Sequence, residues 1–161
     1  MNYDVLIIGA GPGGIYSAYE LTQRCPEKKV AVIEAGHALA RRHCPIDGEK
    51  VKTCIGCKTC SIMSGFGAAG AFSDGKYNIT NDFGGTLFEY IGKRQALELM
   101  RYVDEINMRY GGTGTKLYTT AGTQFKKACI QHDLHLLDAS VRHLGTDINY
   151  VVLENLYNYL K

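Results

Sequence analysis

A glycine-rich turn near the amino terminus constrains the fold more than any other stretch of the sequence. Residues 9–14 read Gly-Ala-Gly-Pro-Gly-Gly, and they separate an apolar run, residues 3–8, from a stretch of helical spacing that ends near Arg24. A second apolar run, residues 29–34, follows Pro26. Strand, helix and strand within about thirty residues predict a βαβ unit with two buried, parallel strands and a right-handed crossover.

The spacing of the glycines predicts that this turn binds a dinucleotide. In the pattern G-x-G-x-x-G, Gly9 permits the tight turn, Gly11 lets the backbone approach a pyrophosphate, and Gly14 lets the helix pack close to the strand. The pyrophosphate is expected at the helix N-terminus, beside Pro12 and Gly13. Unpaired N–H groups and the positive end of the helix dipole favour an anion there.

A carboxylate stands where a ribose ligand is expected. Glu34 ends the second apolar run, twenty positions after Gly14, and a carboxylate so placed accepts hydrogen bonds from both hydroxyls of an adenosine ribose and repels a 2′-phosphate. The pattern alone does not choose between FAD and NAD. FAD is favoured because a long glycine-rich excursion follows Glu34 instead of a third βα unit. A nicotinamide-only dehydrogenase is the alternative.

Length and charge narrow the class of protein. The 161 residues suffice for one domain with a real core. The net charge of +2 gives no electrostatic case for binding nucleic acid. Because the first strand begins almost at the initiator Met, no secretory signal precedes it, and no apolar stretch reaches the length of a membrane span. We therefore expect a cytoplasmic protein that binds no membrane.

The chain is expected to contain three segments. Residues 1–36 form the βαβ nucleotide-binding unit, residues 37–92 a cysteine- and glycine-rich excursion with short elements, and residues 93–161 a mainly helical segment. Within the last of these, apolar spacing predicts helices over residues 92–110, 120–132 and 149–160 and a short strand over residues 134–137. Thr146 and Asp147 are predicted to cap the final helix.

Four cysteines lie in the excursion and have several possible chemistries. Cys54, Cys57 and Cys60 follow the C-x-x-C-x-x-C spacing of bacterial iron–sulfur clusters, and Cys44, which precedes Pro45, is a candidate fourth ligand. The same four thiolates could hold zinc. A pair of them could instead form a redox-active dithiol beside a flavin, or all could be idle thiols in a reducing compartment.

Taken together, several motifs resemble those of the uncharacterised bacterial FAD-dependent dehydrogenases, a group of NAD(P)/FAD-dependent oxidoreductases. The motifs are Arg42-His43-Cys44-Pro45, the three cysteines at 54, 57 and 60, residues 65–76 (GFGAAGAFSDGK), residues 89–92 (EYIG), residues 102–104 (YVD) and residues 142–147 (RHLGTD). The resemblance covers nearly the whole chain. One departure is Ala68, where the group's pattern has glycine, so a positive φ at this position would be strained.

The resemblance implies a Rossmann-like FAD-binding α/β fold and flavin-mediated electron or hydride transfer, with NAD(P)H as a possible electron donor. It implies no substrate, and it implies that members are longer. The expected partner is a small-molecule substrate or an electron carrier. The chain is therefore interpreted as the N-terminal part of an oxidoreductase whose fold is incomplete at the C-terminus. A truncated, catalytically incompetent nucleotide-binding fragment is the alternative.

The glycine-rich loop and one arginine complete the predicted cofactor contacts. The glycines at 65, 67, 70 and 75 would let several N–H groups converge on an anion or on the polar edge of an isoalloxazine ring. Arg42 is expected to reach the adenosine or a phosphate. The loop residues predicted to bind the cofactor are Gly67, Gly70, Ala71, Phe72 and Ser73.

Overall fold

A computed structural model describes residues 2–161. Its regular elements are β1 (Val5–Ile8), α1 (Pro12–Arg24), β2 (Val30–Ile33), β3 (Lys76–Ile79), α2 (Leu87–Ile91), α3 (Lys93–Asn107), β4 (Leu117–Thr119), α4 (Phe125–Gln131), β5 (Ser140–His143) and α5 (Gly145–Leu160). Short 3₁₀ turns lie at Leu39–Arg41 and Ala68–Phe72, and a π turn at Met108–Gly112 follows α3.

The chain divides into two compact units, and this division differs from the three consecutive segments expected from sequence. Met1–Ser73 and Asn149–Lys161 form one unit, which we call the parallel-sheet unit. Asp74–Ile148 form the other, the antiparallel-sheet unit. The C-terminal helix belongs mostly to the first unit because its buried residues pack there, a long-range association that local sequence patterns do not encode.

The parallel-sheet unit has the predicted βαβ organisation. β1 and β2 pair in parallel, with Val5 opposite Val30 and Ile8 opposite Ile33, and α1 connects them. The fold is therefore a Rossmann-like α/β fold, as predicted. The core contains Ile15, Ala18 and Tyr19 of α1 together with Val152 and Leu156 of α5.

The prediction that both strands are buried is wrong for one face of this sheet. Ile7 faces α1, since its Cγ2 atom lies 3.3 Å from the position a Gly14 Cβ would occupy. Alternate residues of a strand point to opposite faces. Leu6 and Ile8 accordingly lie on the other face, where they are 54% and 84% exposed. An apolar run shows that a strand forms, but whether each face is covered depends on the rest of the tertiary structure.

The antiparallel-sheet unit contains a three-stranded sheet in the order β3-β5-β4. The central strand, β5, was not predicted; the predicted strand at residues 134–137 is absent from the structure. β5 contains a single strongly apolar residue, Val141, and is anchored by a charged one. The Arg142 guanidinium donates to both carboxylate oxygens of Asp104 on α3, at 2.9 and 2.8 Å.

Two helix boundaries also differ from expectation. α4 begins at Phe125 instead of Thr120, because Thr120 is held in a turn: its backbone N–H donates to the Ala139 carbonyl at 3.0 Å, and its hydroxyl donates to the Leu137 carbonyl at 2.6 Å. Threonine side chains that bond nearby backbone groups compete with helix formation. α5 begins at Gly145, so Thr146 and Asp147 lie in its first turn and do not cap it.

Candidate nucleotide-binding site

The glycine turn between β1 and α1 has the predicted backbone geometry. Gly9 has φ +96°, in the region that favours glycine, and its N–H donates to the Ile33 carbonyl at 2.7 Å. A Cβ on Gly14 would lie 1.9 Å from the Gly9 carbonyl oxygen, so only glycine permits this packing of helix on strand. The turn and packing roles predicted for Gly9 and Gly14 are both confirmed.

Packing does not require the other two glycines of the turn. A Cβ on Gly11 would meet only the Ala68 Cβ, at an ordinary 3.5 Å, and a Cβ on Gly13 would meet nothing within 4 Å. No contact among residues 2–161 therefore requires glycine at either position. Gly11 is the N-cap of α1 and offers no side-chain cap, Pro12 follows it, and the first turn of the helix carries no acidic side chain. This open, uncapped helix N-terminus fits a phosphate.

Glu34 ties the turn to the glycine-rich loop. Its Oε2 atom accepts a hydrogen bond from the Ala10 N–H at 2.8 Å, and its Oε1 atom accepts from Gly36 at 2.9 Å and from Gly65 at 2.8 Å. The N–H of Ala10, followed by that of Gly36, lowers the pKa of the Glu34 carboxyl below its usual value, against an opposing effect of burial. Together with the N–H of Ala35, which also lowers this pKa, these groups occupy most of the roughly four lone-pair sites of a carboxylate, so the predicted hydrogen bonds to the ribose hydroxyls stay a prediction.

Arg42 is buried and bonds the loop. Only 5% of the residue is exposed. Its Nε donates to the Ser61 carbonyl at 2.9 Å, and its terminal nitrogens donate to the carbonyls of Phe66, Ala68 and Ile62 at 2.7, 2.8 and 2.7 Å. A guanidinium has five N–H donors, so four are spent on carbonyls. The structure gives Arg42 an internal role, and its predicted contact with adenosine or phosphate stays a prediction.

The glycine-rich loop turns its N–H groups toward the chain itself. The Gly65 N–H donates to Glu34, and the Gly67 N–H donates to the Ala10 carbonyl at 2.8 Å. These two groups do not converge on an anion or flavin edge as expected, because the loop folds directly against the nucleotide turn. Ala68, the residue that departs from the resembled pattern, has φ +47°.

The other predicted loop contacts are placed as follows. Ala71 is 1% exposed, so its side chain is inside the fold. The Phe72 ring lies under the Arg42 guanidinium, with 4.7 Å from Cζ to the ring centroid. The Ser73 hydroxyl donates to the Gly70 carbonyl at 2.9 Å. Gly70 itself has no atom near the position of a Cβ. The cofactor roles of these residues stay predictions.

A cavity opens beside the turn. Its volume is about 530 Å³, within the range of about 300–1,000 Å³ that is usual for small-molecule sites. Ala10 and Glu34 line it, as do Phe66 and the β2 residues Val30 and Val32. An apolar cavity with a carboxylate in its wall can hold a flat, apolar ring system attached to a hydroxyl-bearing sugar.

The four cysteines of the excursion do not come together. Among residues 2–161 no group of three or more His, Cys, Asp or Glu side chains is placed to hold a metal ion, and all six thiols are free. The structure thus does not support the predicted iron–sulfur or zinc site at Cys44, Cys54, Cys57 and Cys60. Residues 42–60 form no helix or strand, and along this irregular path Cys54 and Cys57 are exposed while Cys44 and Cys60 are partly buried.

Sequence reasoning missed several residues that build this site. Ala10 contributes both its N–H and its carbonyl, and Gly36 is required because a Cβ there would lie 2.4 Å from the Gly65 nitrogen. The buried Asn149 side chain donates to the Gly70 carbonyl at 2.9 Å. A glycine two positions after Glu34 was a usable signal in the sequence; the partner of Asn149, 79 residues away, was not.

Most of the chain matches a known protein family. The sequence profile of the family described as pyridine nucleotide-disulphide oxidoreductase matches residues 3–128, which include the turn, Glu34 and Arg42. The chain belongs to the pyridine nucleotide-disulphide oxidoreductase family. A nucleotide-binding oxidoreductase domain with an N-terminal parallel sheet is therefore what this chain contains.

Individual relatives add little detail. An uncharacterized protein of Acanthamoeba polyphaga mimivirus is 50% identical over 42 residues, which are 26% of this chain and 8% of that protein. The match thus spans only a small part of the curated relative. No solved structure matches the chain significantly. None of the helices among residues 2–161 is both long enough and apolar enough to cross a membrane.

Proposed function

We propose that this chain is the dinucleotide-binding part of an FAD-dependent oxidoreductase. The observation that carries the proposal is that packing requires glycine at neither Gly11 nor Gly13, which lie at a helix N-terminus with no side-chain cap and no acidic residue in its first turn. Glycines that no neighbouring atom requires, at the point where a pyrophosphate approaches, favour a ligand with phosphates.

Different residues of the site bind different parts of the dinucleotide. The N-terminus of α1 holds the pyrophosphate, the Glu34 carboxylate accepts a ribose hydroxyl, and the cavity beside Phe66 takes the adenine. When bound, flavin supplies the electron or hydride transfer, and the protein orients it. FAD is favoured over NAD alone because β1 and β2 are the only parallel strands within residues 2–161, with no third βα unit after Glu34. The substrate is proposed to be a small molecule or electron carrier.

Purified protein tests the proposal directly. We expect a flavin absorbance in the visible spectrum, or uptake of FAD by the colourless protein with a rise in melting temperature, because a ligand that binds only the folded state stabilises it. Glu34→Ala should weaken FAD binding by about tenfold, the effect of losing about 1.4 kcal/mol. Glu27→Ala, which removes an exposed carboxylate outside the site, is the matched control.

The alternatives have distinct outcomes in the same experiment. Tight NADH binding without flavin uptake would identify a nicotinamide-only dehydrogenase. A protein that neither FAD nor NADH stabilises would contradict nucleotide binding by this chain. FAD binding without electron transfer to an artificial acceptor would identify a nucleotide-binding fragment that lacks catalytic competence.

A further inference from the structure

The buried arginine next to the nucleotide turn has a function that its hydrogen bonds define. We propose that Arg42 is a positioning residue: it holds residues 61–68 as a second wall of the nucleotide turn before any nucleotide binds. The inference rests on the proposed binding of a dinucleotide at Gly11. It concerns a residue whose hydrogen bonds go to the loop and not to that turn.

Arg42 holds residues 61–68 in place through hydrogen bonds. Residues 61–67 form neither helix nor strand, yet three of their carbonyls and that of Ala68 must find partners when the loop packs inward. The Arg42 guanidinium satisfies the carbonyls of Ser61, Ile62, Phe66 and Ala68 from one buried position. A single planar group therefore fixes both ends of this eight-residue stretch.

Backbone hydrogen bonds link the loop to Glu34 and to the nucleotide turn. From the stretch that Arg42 holds, Gly65 donates to Glu34 and Gly67 donates to Ala10, at 2.8 Å each. Ala10 also donates to Glu34. The Ala68 methyl group lies beside Gly11, 3.5 Å from where a Cβ on Gly11 would be. Movement of the loop would displace the groups that border the pyrophosphate.

The Arg42 side chain packs closely against the backbone at Gly65. A Cβ on Gly65 would lie 2.7 Å from Arg42 Cδ and 2.9 Å from Nε, so glycine is needed for the arginine to lie against the backbone. The other side of the guanidinium lies over the Phe72 ring. Lysine cannot replace it, because an ammonium is a point donor without a planar fork that reaches four carbonyls.

Arg42→Lys and Arg42→Met test the proposal, with Arg41→Met as the matched control on the exposed neighbouring residue. Binding of ADP and of adenosine is measured by calorimetry at a temperature where circular dichroism shows each variant folded. We expect both Arg42 variants to weaken ADP binding by about tenfold and adenosine binding far less, because the wall borders the pyrophosphate. Arg41→Met should bind both as the wild type does.

Hydrogen exchange keeps the test independent of nucleotide binding. In the nucleotide-free wild type the amides of Gly65 and Gly67 should exchange slowly, and in Arg42→Lys they should exchange faster. Equal loss of ADP and adenosine affinity, or an Arg42→Lys protein that binds ADP normally, would overturn the positioning role. Fast exchange at Gly65 and Gly67 in the wild type would overturn it even if no variant folds. If the wild type binds neither ADP nor adenosine, the proposed function is contradicted. If the amides of Gly65 and Gly67 also exchange slowly in that protein, the result supports the hold of Arg42 on the loop.

Discussion

Ala68 is strained in a way that a single substitution can relieve. Its φ of +47° is left-handed, which costs a non-glycine residue about 1–2 kcal/mol. Glycine adds entropy to the unfolded chain worth about 0.5–1 kcal/mol. We therefore expect Ala68→Gly to raise the free energy of unfolding by about 0.5–1 kcal/mol in urea titrations. Ala69→Gly, one residue on and without a positive φ, should lower it; equal losses in both variants would contradict the strain.

Glu34 makes stability depend on pH in a predictable direction. Its folded pKa lies below the usual value of 4.5, chiefly because the Ala10 N–H bonds the carboxylate. The stabilisation is thus complete above pH 4.5 and is lost as the pH falls through the lower folded pKa. Glu34→Gln should lower the free energy of unfolding at pH 7 by roughly 1–3 kcal/mol.

The pH profile separates this effect from general acid sensitivity. The difference in unfolding free energy between wild type and Glu34→Gln, measured by urea titration, should be constant above pH 4.5 and should shrink as the pH falls further. A difference that stays constant with pH would show that the charge of Glu34 contributes nothing through these N–H groups.

At the scale of the element, the contact of α1 with β1 depends on one of two adjacent glycines. A Cβ on Gly14 would lie 1.9 Å from the Gly9 carbonyl oxygen, whereas a Cβ on Gly13 meets nothing. Gly14→Ala should therefore lower the free energy of unfolding by about 1–3 kcal/mol or more. Gly13→Ala should raise it by roughly 0.5–1 kcal/mol, since alanine favours the helix. Thermal and urea unfolding measure both, and a reversed order would contradict the packing.

The elements near the amino terminus could be predicted from sequence, and others could not. The pattern of residues 3–34 is local, because each apolar run and glycine has its meaning within a few positions. β5 is different. This strand, which contains Ser140, Arg142 and His143, is held by the hydrogen bond of Arg142 to Asp104 on α3, 38 residues away. Asp104 is a charged residue of this helix and is nevertheless only 8% exposed.

At the scale of the whole molecule, this ion pair anchors the antiparallel-sheet unit. The side chains of Arg142 and Asp104 are 12% and 10% exposed, and Arg142 also donates to the Thr115 carbonyl at 2.6 Å. The bond to Asp104 raises the pKa of Arg142, which keeps the guanidinium charged. Arg142→Met should lower the free energy of unfolding by about 3–5 kcal/mol, because it leaves a buried carboxylate unpaired.

The location of that loss is part of the prediction. Hydrogen exchange should rise within residues 74–148, the antiparallel-sheet unit, more than in the parallel-sheet unit. Arg101→Met removes an exposed arginine from the same helix, α3, and should change the free energy of unfolding by no more than about 0.5 kcal/mol. A loss from Arg142→Met as small as this control would show that the pair does not anchor the sheet.

The sequence by itself determined the βαβ unit and the glycine turn, because these depend on residues close together in the chain. It also placed Arg42 and Ala68 among the residues that matter. Only the tertiary structure decided what each does: Arg42 bonds four carbonyls, Gly65 and Gly67 donate to Glu34 and Ala10, and no three cysteines among residues 2–161 come together to hold a metal. Sequence spacing fixes the direction of side chains within a helix or strand, but residues 42–60 form neither, so the path of the chain decides where the four thiols lie.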